Sequence, residues 1–309
     1  MAERDIEAFS AASIAVGSKS FAAAARLFDA RTRRSVIMLY AWCRHCDDVV
    51  DGQEAGSAER VPDTRSPQER IAALRRDTAL AFEGSTQGLH PSFAALASVV
   101  REHDIQRSLC EEHLAGFEMD VEGRTYETLD DLMLYCWRVA GVVGVMMARI
   151  MGVSDAATLD RAADLGLAFQ LTNIARDVVD DARAGRVYVP LQWLREEGLA
   201  PADLTDPAHA GGIARLRERL VIAADEYYFS ARVGIDALPR RSAWAIGTAW
   251  GVYRTIGVKL VQRGEAAFGE RISTRKSEKA AQMLEGARMA LFRGGGADPR
   301  DPDLWTRPR

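Results

Sequence analysis

Four polar residues recur at helical spacing in one short stretch of this 309-residue chain. Gln170, Asn173, Asp177 and Asp181 are separated by three or four positions, so that a helix presents all four on one face. Leu171, Ile174, Val178 and Val179 lie between them and give the helix an apolar flank, which predicts that it is packed inside the protein. An acidic face on a packed helix requires a counter-ion.

A similar pair occurs much earlier, where Asp47 and Asp51 are again four residues apart. Like charges at this spacing destabilise a helix by roughly 0.2–0.5 kcal/mol, so a repeated pair indicates a function. Magnesium is usually held by one or two carboxylates, while phosphate oxygens and water complete its octahedral shell. We hypothesise that the first acidic motif (Asp47, Asp51) and the second acidic motif (Asp177, Asp181) lie on facing helices that clamp a magnesium-bound diphosphate. For either pair alone, the alternative is a solvated acidic face.

Basic and hydroxyl side chains could grip the same diphosphate. Arg44 lies one helical turn after Tyr40, and its planar guanidinium can bind two phosphate oxygens. Ser18, Lys19 and Ser20 lie where a loop enters a helix, so they could add donors at the positive end of that helix. The alternative for each basic residue is a surface ion pair.

Composition excludes several classes of protein. Apolar residues make up 48% of the chain and the net charge is -4, which predicts a soluble globular protein that does not bind nucleic acid. The acidic N-terminus and the lack of a long apolar run predict a cytoplasmic protein. Four cysteines fit a reduced compartment, and we interpret the C-x-x-C of Cys43 and Cys46 as structural. Only four of the 40 basic residues are lysine, so one arginine beside a motif is weak evidence.

Helical periodicity runs along the whole chain without a convincing strand pattern, which predicts one all-α domain over residues 1–292. Residues 52–66 are polar and contain glycine, proline and serine, so we expect a loop that could act as a lid. Residues 293–309 are expected to be disordered. The predicted helices span 3–16, about 20–29, 33–51, 67–83, 91–103, 105–122, 128–151, 155–182, 211–237, 240–263 and 274–292.

Glycines inside the predicted helices carry a packing signal. Gly141 and Gly144 each cost about 1 kcal/mol relative to alanine, and Gly166, Gly247 and Gly251 repeat the feature. Small residues on a buried helix allow either close contact with another helix or a slot for a slender apolar ligand. The spacing favours close contact.

At this point the chain resembles the squalene and phytoene synthases. The resemblance covers residues 16–265. The sequences of the motifs are most similar to those of bacterial phytoene synthases of carotenoid pathways. The motifs that carry it are S-K-S-F at 18–21, Y-A-W-C-R-H-C-D-D-V-V-D at 40–51, D-V-E-G-R-T-Y at 120–126, Y-C-W-R-V-A-G-V-V-G at 135–144, F-Q-L-T-N-I-A-R-D-V-V-D-D at 169–181, the R-V-Y-V-P turn and the region around Tyr253.

The resemblance implies an isoprenoid synthase fold with a central cavity between helices. It implies head-to-head joining of two geranylgeranyl diphosphates through prephytoene diphosphate to phytoene, with loss of two diphosphates. Both acidic motifs match the metal-binding motifs of the family, and Asn173 matches its additional metal-side ligand. Magnesium is the implied cofactor, and manganese could replace it. The matching substrate-contacting positions are Ser18, Lys19, Ser20, Tyr40, Arg44, Gln170, Arg176 and Tyr253.

Aromatic residues could serve the same reaction. A carbocation must be kept from water, and π faces can stabilise it, so that we consider Phe21, Trp42, Phe169 and Trp250 as walls of the cavity, with ordinary core packing as the alternative for each. The hydroxyls of Tyr126 and Tyr253 are candidates for acid–base or positioning roles. Released diphosphate is itself a plausible base for the final proton.

Two other functions stay open. Coupling of two farnesyl diphosphates to squalene or dehydrosqualene is the nearer one; squalene formation needs NADPH, which we do not expect here because no glycine-rich nucleotide motif is visible. A non-catalytic assembly factor is the more remote one, since it should have lost the aspartates. Lipid substrates and products predict peripheral membrane contact, through apolar positions beside the 52–66 loop. The sequence does not specify protein partners.

Overall fold

The computed structural model describes residues 3–17, 19–52, 64–294 and 298–308. These residues fold into helices and connecting turns, and none of them lies in a β-strand, so the all-α expectation is confirmed. The α-helices in these ranges are α1 Glu3–Gly17, α2 Lys19–Ala25, α3 Ala30–Asp51, α4 Pro67–Phe82, α5 Pro91–His103, α6 Arg107–Val121, α7 Leu129–Cys136, α8 Val142–Ile150, α9 Ala156–Arg183, α10 Leu191–Glu196, α11 Ala210–Ile235, α12 Arg240–Arg263 and α13 Lys276–Leu291. Short 3₁₀ turns span Pro201–Thr205, Pro207–His209 and Gly264–Ala267.

Local capping signals fix the helix starts. The Ser66 hydroxyl accepts a hydrogen bond from Glu69 N at 3.2 Å, and the Glu69 carboxylate accepts one from Ser66 N at 2.7 Å. Thr128 and Asp131 form the same reciprocal box before α7. These contacts satisfy donors of the first turn that have no partner inside the helix, which is why α4 and α7 begin within one residue of their predicted starts.

The segment predicted as a single helix over 128–151 is interrupted. A π-helical turn at Trp137–Gly141 joins α7 to α8, and its backbone packs against α9. A Cβ atom on Gly166 would lie 2.4 Å from a carbonyl oxygen of this turn, and one on Gly144 would lie 2.3 Å from a carbonyl oxygen of α9. The glycines therefore permit close helix contact, and that interpretation is confirmed.

The same packing occurs between α12 and α13. A Cβ on Gly247 would meet Met289 Sδ at 3.2 Å, and one on Gly251 would meet Gln282 Oε1 at 2.0 Å. Since both glycines face the neighbouring helix, these positions also serve helix contact.

The chain divides into two compact units. Unit 1 comprises Met1–Glu122 and Met146–Ser154, and unit 2 comprises Gly123–Val145 and Asp155–Arg309. The expectation of one domain stays a prediction.

In unit 1, helix α3 packs against α1, α5 and α6. Asp29 caps its N-terminus by accepting a hydrogen bond from Thr32 N at 3.0 Å. Trp42 is fully buried beside the His113 ring, at 5.4 Å between centroids, so it belongs to the core of this unit. The packed face of α3 fixes the direction of its last turn, which carries the first acidic motif.

In unit 2, helix α9 packs against α11, α12 and the π turn. A hydrogen bond of 3.0 Å joins the hydroxyls of Thr172 and Tyr228, and Gly234 packs on the aliphatic part of Arg161, so that α9 and α11 run antiparallel. Helix α12 lies between α11 and α13 in this contact pattern. These neighbours position α9, which carries the second acidic motif.

The segment 298–308 packs against α9, whereas the sequence predicts disorder over residues 293–309. Arg300 donates to both carboxylate oxygens of Asp164 on α9 at 2.8 Å, and Arg307 Nε donates to Asp160 Oδ1 at 2.6 Å. Leu304 is buried between these anchors. The glycine- and proline-rich composition suggested disorder, but charged and apolar anchors order the segment in unit 2.

The helical run Leu129–Ile150 is long and apolar enough to cross a membrane by length and composition. Its most apolar window is 61% buried inside the protein, which is the behaviour of a core helix. This run is therefore weak evidence for a membrane span.

Candidate active site

The first acidic motif lies in the last turn of α3. Arg44 Nη1 lies 3.0 Å from Asp47 Oδ2, and Arg44 Nη2 lies 2.7 Å from Asp48 Oδ1. The Arg44 Nε atom is buried without a hydrogen-bond partner among the described residues. Arg44 thus neutralises two carboxylates of unit 1, one of them in the first acidic motif, as its predicted position on α3 implies.

Carboxylates at the C-terminal end of a helix oppose its dipole, and α3 compensates for this locally. Arg70 Nη1 from α4 donates to the carbonyl oxygens of Val49 at 3.2 Å and Val50 at 3.1 Å. Gly52 then ends the helix in the left-handed conformation at φ 65°, with its N–H donating to Asp48 O. The turn that carries Asp47 and Asp51 is therefore held from both sides.

Tyr40 and Phe21 accompany this motif in unit 1. Their rings stack at 5.4 Å between centroids, and burial raises the pKa of the Tyr40 hydroxyl to about 12. Tyr40 is therefore a neutral hydrogen-bonding group at ordinary pH. Ser18 and residues 53–63 of the expected lid loop lie outside the described residues, and only the backbone helix is described for Lys19 and Ser20.

The second acidic motif lies near the C-terminal end of α9. Gln170, Asn173, Asp177 and Asp181 are all partly exposed along this helix, while Leu171, Ile174 and Val178 are buried, as the spacing predicts. The predicted polar face of α9 is therefore present.

Two arginines contact Asp177. Arg176 Nε donates to Asp177 Oδ1 at 2.8 Å and its Nη2 donates to Oδ2, which gives a two-pronged contact. Arg271, which sequence reasoning missed, brings its Nε to 3.6 Å from Asp177 Oδ1. No spacing pattern could have identified Arg271, because it follows α12 far along the chain and is one of many arginines.

The surroundings of Asp181 disfavour its ionised form. Burial, together with the negative charge of Asp177, raises the pKa of this carboxyl to about 7, against a smaller lowering by Arg186. A bound cation would favour the ionised carboxylate. The two carboxylates of each motif match the donors that magnesium takes from proteins, with phosphate and water left to complete the shell. Among the described residues, no group of three or more histidine, cysteine, aspartate or glutamate side chains is arranged to hold a metal ion.

An aromatic cluster adjoins the second motif within unit 2. Phe169 stacks on Tyr253 at 4.3 Å between ring centroids, and Tyr228 meets Trp250 edge to face at 6.0 Å. Burial raises the pKa of Tyr253, while Arg176 lowers it, which shows that the hydroxyl lies within the electrostatic reach of the Arg176–Asp177 pair. Tyr253 and Phe169 therefore accompany the second motif.

Tyr126 lies in a different cluster of unit 2. Its ring packs 5.5 Å from Tyr135 and 6.2 Å from Tyr188, and its carbonyl accepts a hydrogen bond from Leu191 N at 2.8 Å. Tyr126 and Tyr188 of the R-V-Y-V-P turn thus meet at one place in unit 2. The catalytic role suggested for Tyr126 stays a prediction.

The cysteines take no part in either motif. Cys43, Cys46, Cys110 and Cys136 are free thiols, and burial raises the pKa of Cys43 to about 12. A thiol that resists ionisation is a poor nucleophile and metal ligand.

Comparison with known proteins decides the family. Residues 14–278 match the family model of squalene/phytoene synthase. The chain belongs to the squalene/phytoene synthase family. It is 54% identical to a 15-cis-phytoene synthase from Enterobacter agglomerans, over 95% of this chain and 99% of the relative. It is 53% identical to a 15-cis-phytoene synthase from Pantoea ananas, over 96% of each chain.

Solved structures confirm the fold of this family member. A dehydrosqualene synthase with bound ligand has a TM-score of 0.82 at 25% identity, covering 94% of this chain and 98% of that one. A squalene synthase from Alicyclobacillus acidocaldarius has a TM-score of 0.73 at 21% identity, covering 85% and 97%. The chain has the all-α isoprenoid synthase fold, and its family acts on isoprenoid diphosphates as prenyltransferases.

Proposed function

We propose that this chain is a phytoene synthase, which joins two geranylgeranyl diphosphates head to head through prephytoene diphosphate to phytoene in carotenoid biosynthesis. The observation that carries this proposal is identity of 48–54% over nearly the whole chain to several phytoene synthases. Both acidic motifs of the family are intact on helices that the packing of each unit holds in place.

Magnesium is the cation that we propose for both motifs, with manganese as a substitute. Asp47 and Asp51 would hold it in unit 1, and Asp177, Asp181 and Asn173 would hold it in unit 2. Bound magnesium would neutralise charge on a departing diphosphate. The raised pKa of Asp181 supports a cation there, because burial and its neighbour Asp177 disfavour its ionised form in the metal-free protein.

Protein side chains would supply the remaining steps. The buried Nε of Arg44 has no hydrogen-bond partner within the described ranges, and a guanidinium has five N–H donors, so it can bind phosphate oxygens while it still contacts a carboxylate. Ser18, Lys19, Ser20, Gln170 and Arg176 are proposed to add polar contacts to the substrate. Phe169 and Tyr253 offer stacked π faces that would exclude water from an allylic cation.

The second candidate is coupling of two farnesyl diphosphates. It is favoured by one observation, the high structural similarity to a dehydrosqualene synthase. Purified protein should therefore be given each diphosphate separately with magnesium and without NADPH. We expect a forty-carbon hydrocarbon from geranylgeranyl diphosphate by mass spectrometry, and no product after chelation with EDTA. Efficient formation of a thirty-carbon hydrocarbon alone would instead support the second candidate.

We further propose a cytoplasmic protein with peripheral contact to anionic membranes through α13. Leu284 and Leu291 on this helix and Phe292 directly after it are 75%, 66% and 69% exposed, which is unusual for large apolar residues so close together. Lys276 near its start and Arg293 beyond its end could contact lipid headgroups. Such contact would serve the reaction, because a hydrocarbon product is insoluble in water and must pass from the protein into a bilayer.

A further inference from the structure

Arg217 on α11 is a buried cation that the reaction described above does not use. Its side chain is 3% exposed, and its Nε has no hydrogen-bond partner among the described residues. The arginines on either side behave differently: Arg215 Nε pairs with Glu197 at 2.6 Å and Arg219 Nη1 pairs with Glu196 at 2.7 Å. Within the part of the chain that the structure describes, Arg217 makes neither an ion pair nor a hydrogen bond of this kind.

Such a side chain is unfavourable for folding alone. Burial lowers the pKa of Arg217, which is the direction expected where the charged form is poorly solvated. The guanidinium nevertheless stays protonated at ordinary pH, because its ordinary pKa lies far above neutrality. A buried charge without hydrogen bonds destabilises a protein unless another group arrives to pair with it.

The position of Arg217 indicates which group that could be. Helices α9 and α11 run antiparallel, with Tyr228 beside Thr172, so that Arg217 lies toward the C-terminal end of α9. Asp177 and Asp180 act on it electrostatically, and both raise its pKa against the effect of burial. Each of these carboxylates already has a closer arginine, since Arg176 and Arg183 lie on α9 itself.

We propose that Arg217 forms an anion subsite beside the second acidic motif, which binds a phosphate oxygen of the diphosphate held there. This proposal rests on the proposed function for the identity of its ligand. Its physical basis is the buried Nε of Arg217: an incoming anion would supply the hydrogen-bond acceptor that the described residues do not. Arg217 would then contribute to diphosphate binding without contacting the hydrocarbon chain.

The test measures binding of inorganic pyrophosphate to the full chain by calorimetry in the presence of Mg²⁺. We expect Arg217→Met to weaken pyrophosphate binding by roughly 10- to 100-fold, the scale of a hydrogen bond to a charged group. Arg217→Lys should retain part of the affinity for pyrophosphate, because it keeps the positive charge but loses the paired N–H donors of the guanidinium. Arg219→Met is the matched control on the same helix and should bind pyrophosphate as the unmodified protein does.

Two further measurements separate this role from a structural one. Thermal unfolding of Arg217→Met should occur at the same temperature or higher, because an unpaired buried charge has been removed. Binding of Mn²⁺ alone, followed by electron paramagnetic resonance, should be unchanged or tighter, since a repelling cation is gone.

Three results would overturn the subsite: unchanged pyrophosphate affinity in Arg217→Met, a clearly lowered unfolding temperature, or loss of Mn²⁺ binding. Because pyrophosphate lacks a prenyl chain, the outcome does not depend on which hydrocarbon the enzyme makes. If the protein binds pyrophosphate in a way that depends on Arg217 but forms no phytoene, the proposed function is contradicted and the subsite stands.

Discussion

At the scale of single residues, charge balance shapes the second acidic motif. Asp177 is contacted by Arg176 and Arg271, whereas Asp181 is half-buried with a pKa raised to about 7. The two carboxylates are thus in different electrostatic states before any cation binds. A divalent ion would stabilise the ionised form of Asp181 more than that of Asp177, because Asp177 already has two arginine contacts.

Replacement of Asp177 tests its role directly. We expect Asp177→Asn to reduce turnover by roughly 10²-fold or more, on the scale of losing a preorganised electrostatic contact, while the fold is retained. Steady-state turnover and circular dichroism would measure the two effects. Asp155→Asn is the matched control, since Asp155 caps the same helix and asparagine caps equally well. Near-normal turnover of Asp177→Asn would remove the proposed metal role.

A histidine pair in unit 1 predicts how stability depends on pH. The rings of His45 and His90 stack at 3.7 Å between centroids, and burial lowers the pKa of His45 to about 3 and also lowers that of His90. Both are neutral when folded, but the unfolded chain takes up protons below about pH 6.5. Their contribution is present above that pH and is lost as the pH falls toward 3, by at most about 1.4 kcal/mol per pH unit for each histidine.

His45→Phe would isolate this effect, since it keeps an aromatic ring in the stack. Thermal unfolding at pH 7.5, 5.5 and 4.5 should show a smaller loss of stability with acid than the unmodified protein shows. Equal acid sensitivity of the two proteins would mean that His45 is not protonated on unfolding.

At the scale of elements, the ends of helices are determined by nearby residues, whereas contacts between helices depend on residues that are distant in the sequence. The starts of α4 and α7 follow from Ser66 and Thr128, whose partners lie three residues away, so the sequence alone predicts them. The π turn at Trp137–Gly141 depends on α9 packing against it, and no neighbouring residue encodes that contact. The polar face of α9 was predictable for the same reason as the caps, whereas Arg271 and Arg217 reach the second motif only through tertiary folding.

The contact between α9 and the π turn should tolerate no side chain at Gly166. We expect Gly166→Ala to destabilise the protein by about 1–3 kcal/mol, because the new methyl group would overlap a backbone carbonyl, even though alanine favours helices. Chemical denaturation would measure the loss. Gly294→Ala serves as the control, because its Cβ would meet Asp236 Oδ2 at an ordinary 3.6 Å. An unchanged unfolding midpoint for Gly166→Ala would contradict the close contact.

At the scale of the whole molecule, the C-terminal segment braces α9. Asp164 is 1% exposed and depends on Arg300 for its charge balance. We expect Arg300→Ala to cost about 3–5 kcal/mol of unfolding free energy, since it leaves a buried carboxylate unpaired. Adding Asp164→Asn should recover part of that loss, as a double-mutant cycle would measure. Strictly additive losses would argue against the pairing.

The apolar face of α13 makes a prediction about membranes. Leu284→Glu with Leu291→Glu should reduce flotation with anionic liposomes by roughly 10-fold or more, because each leucine loses a buried place in the bilayer. Val16→Glu on α1 is the control, as Val16 is also well exposed. Activity in detergent should survive in all variants. Unchanged flotation of the double variant would assign membrane contact to another surface, or to none.

The scarcity of lysine has a practical consequence for such work. Three of the four lysines, Lys259, Lys276 and Lys279, lie on α12 and α13, and Lys19 begins α2, while the remaining 36 basic residues are arginines that do not react with amine-directed reagents. A fluorophore coupled through amines would therefore collect beside the helix that we propose to dock on lipid. Its emission would report docking in real time, and heavy labelling would be expected to block it.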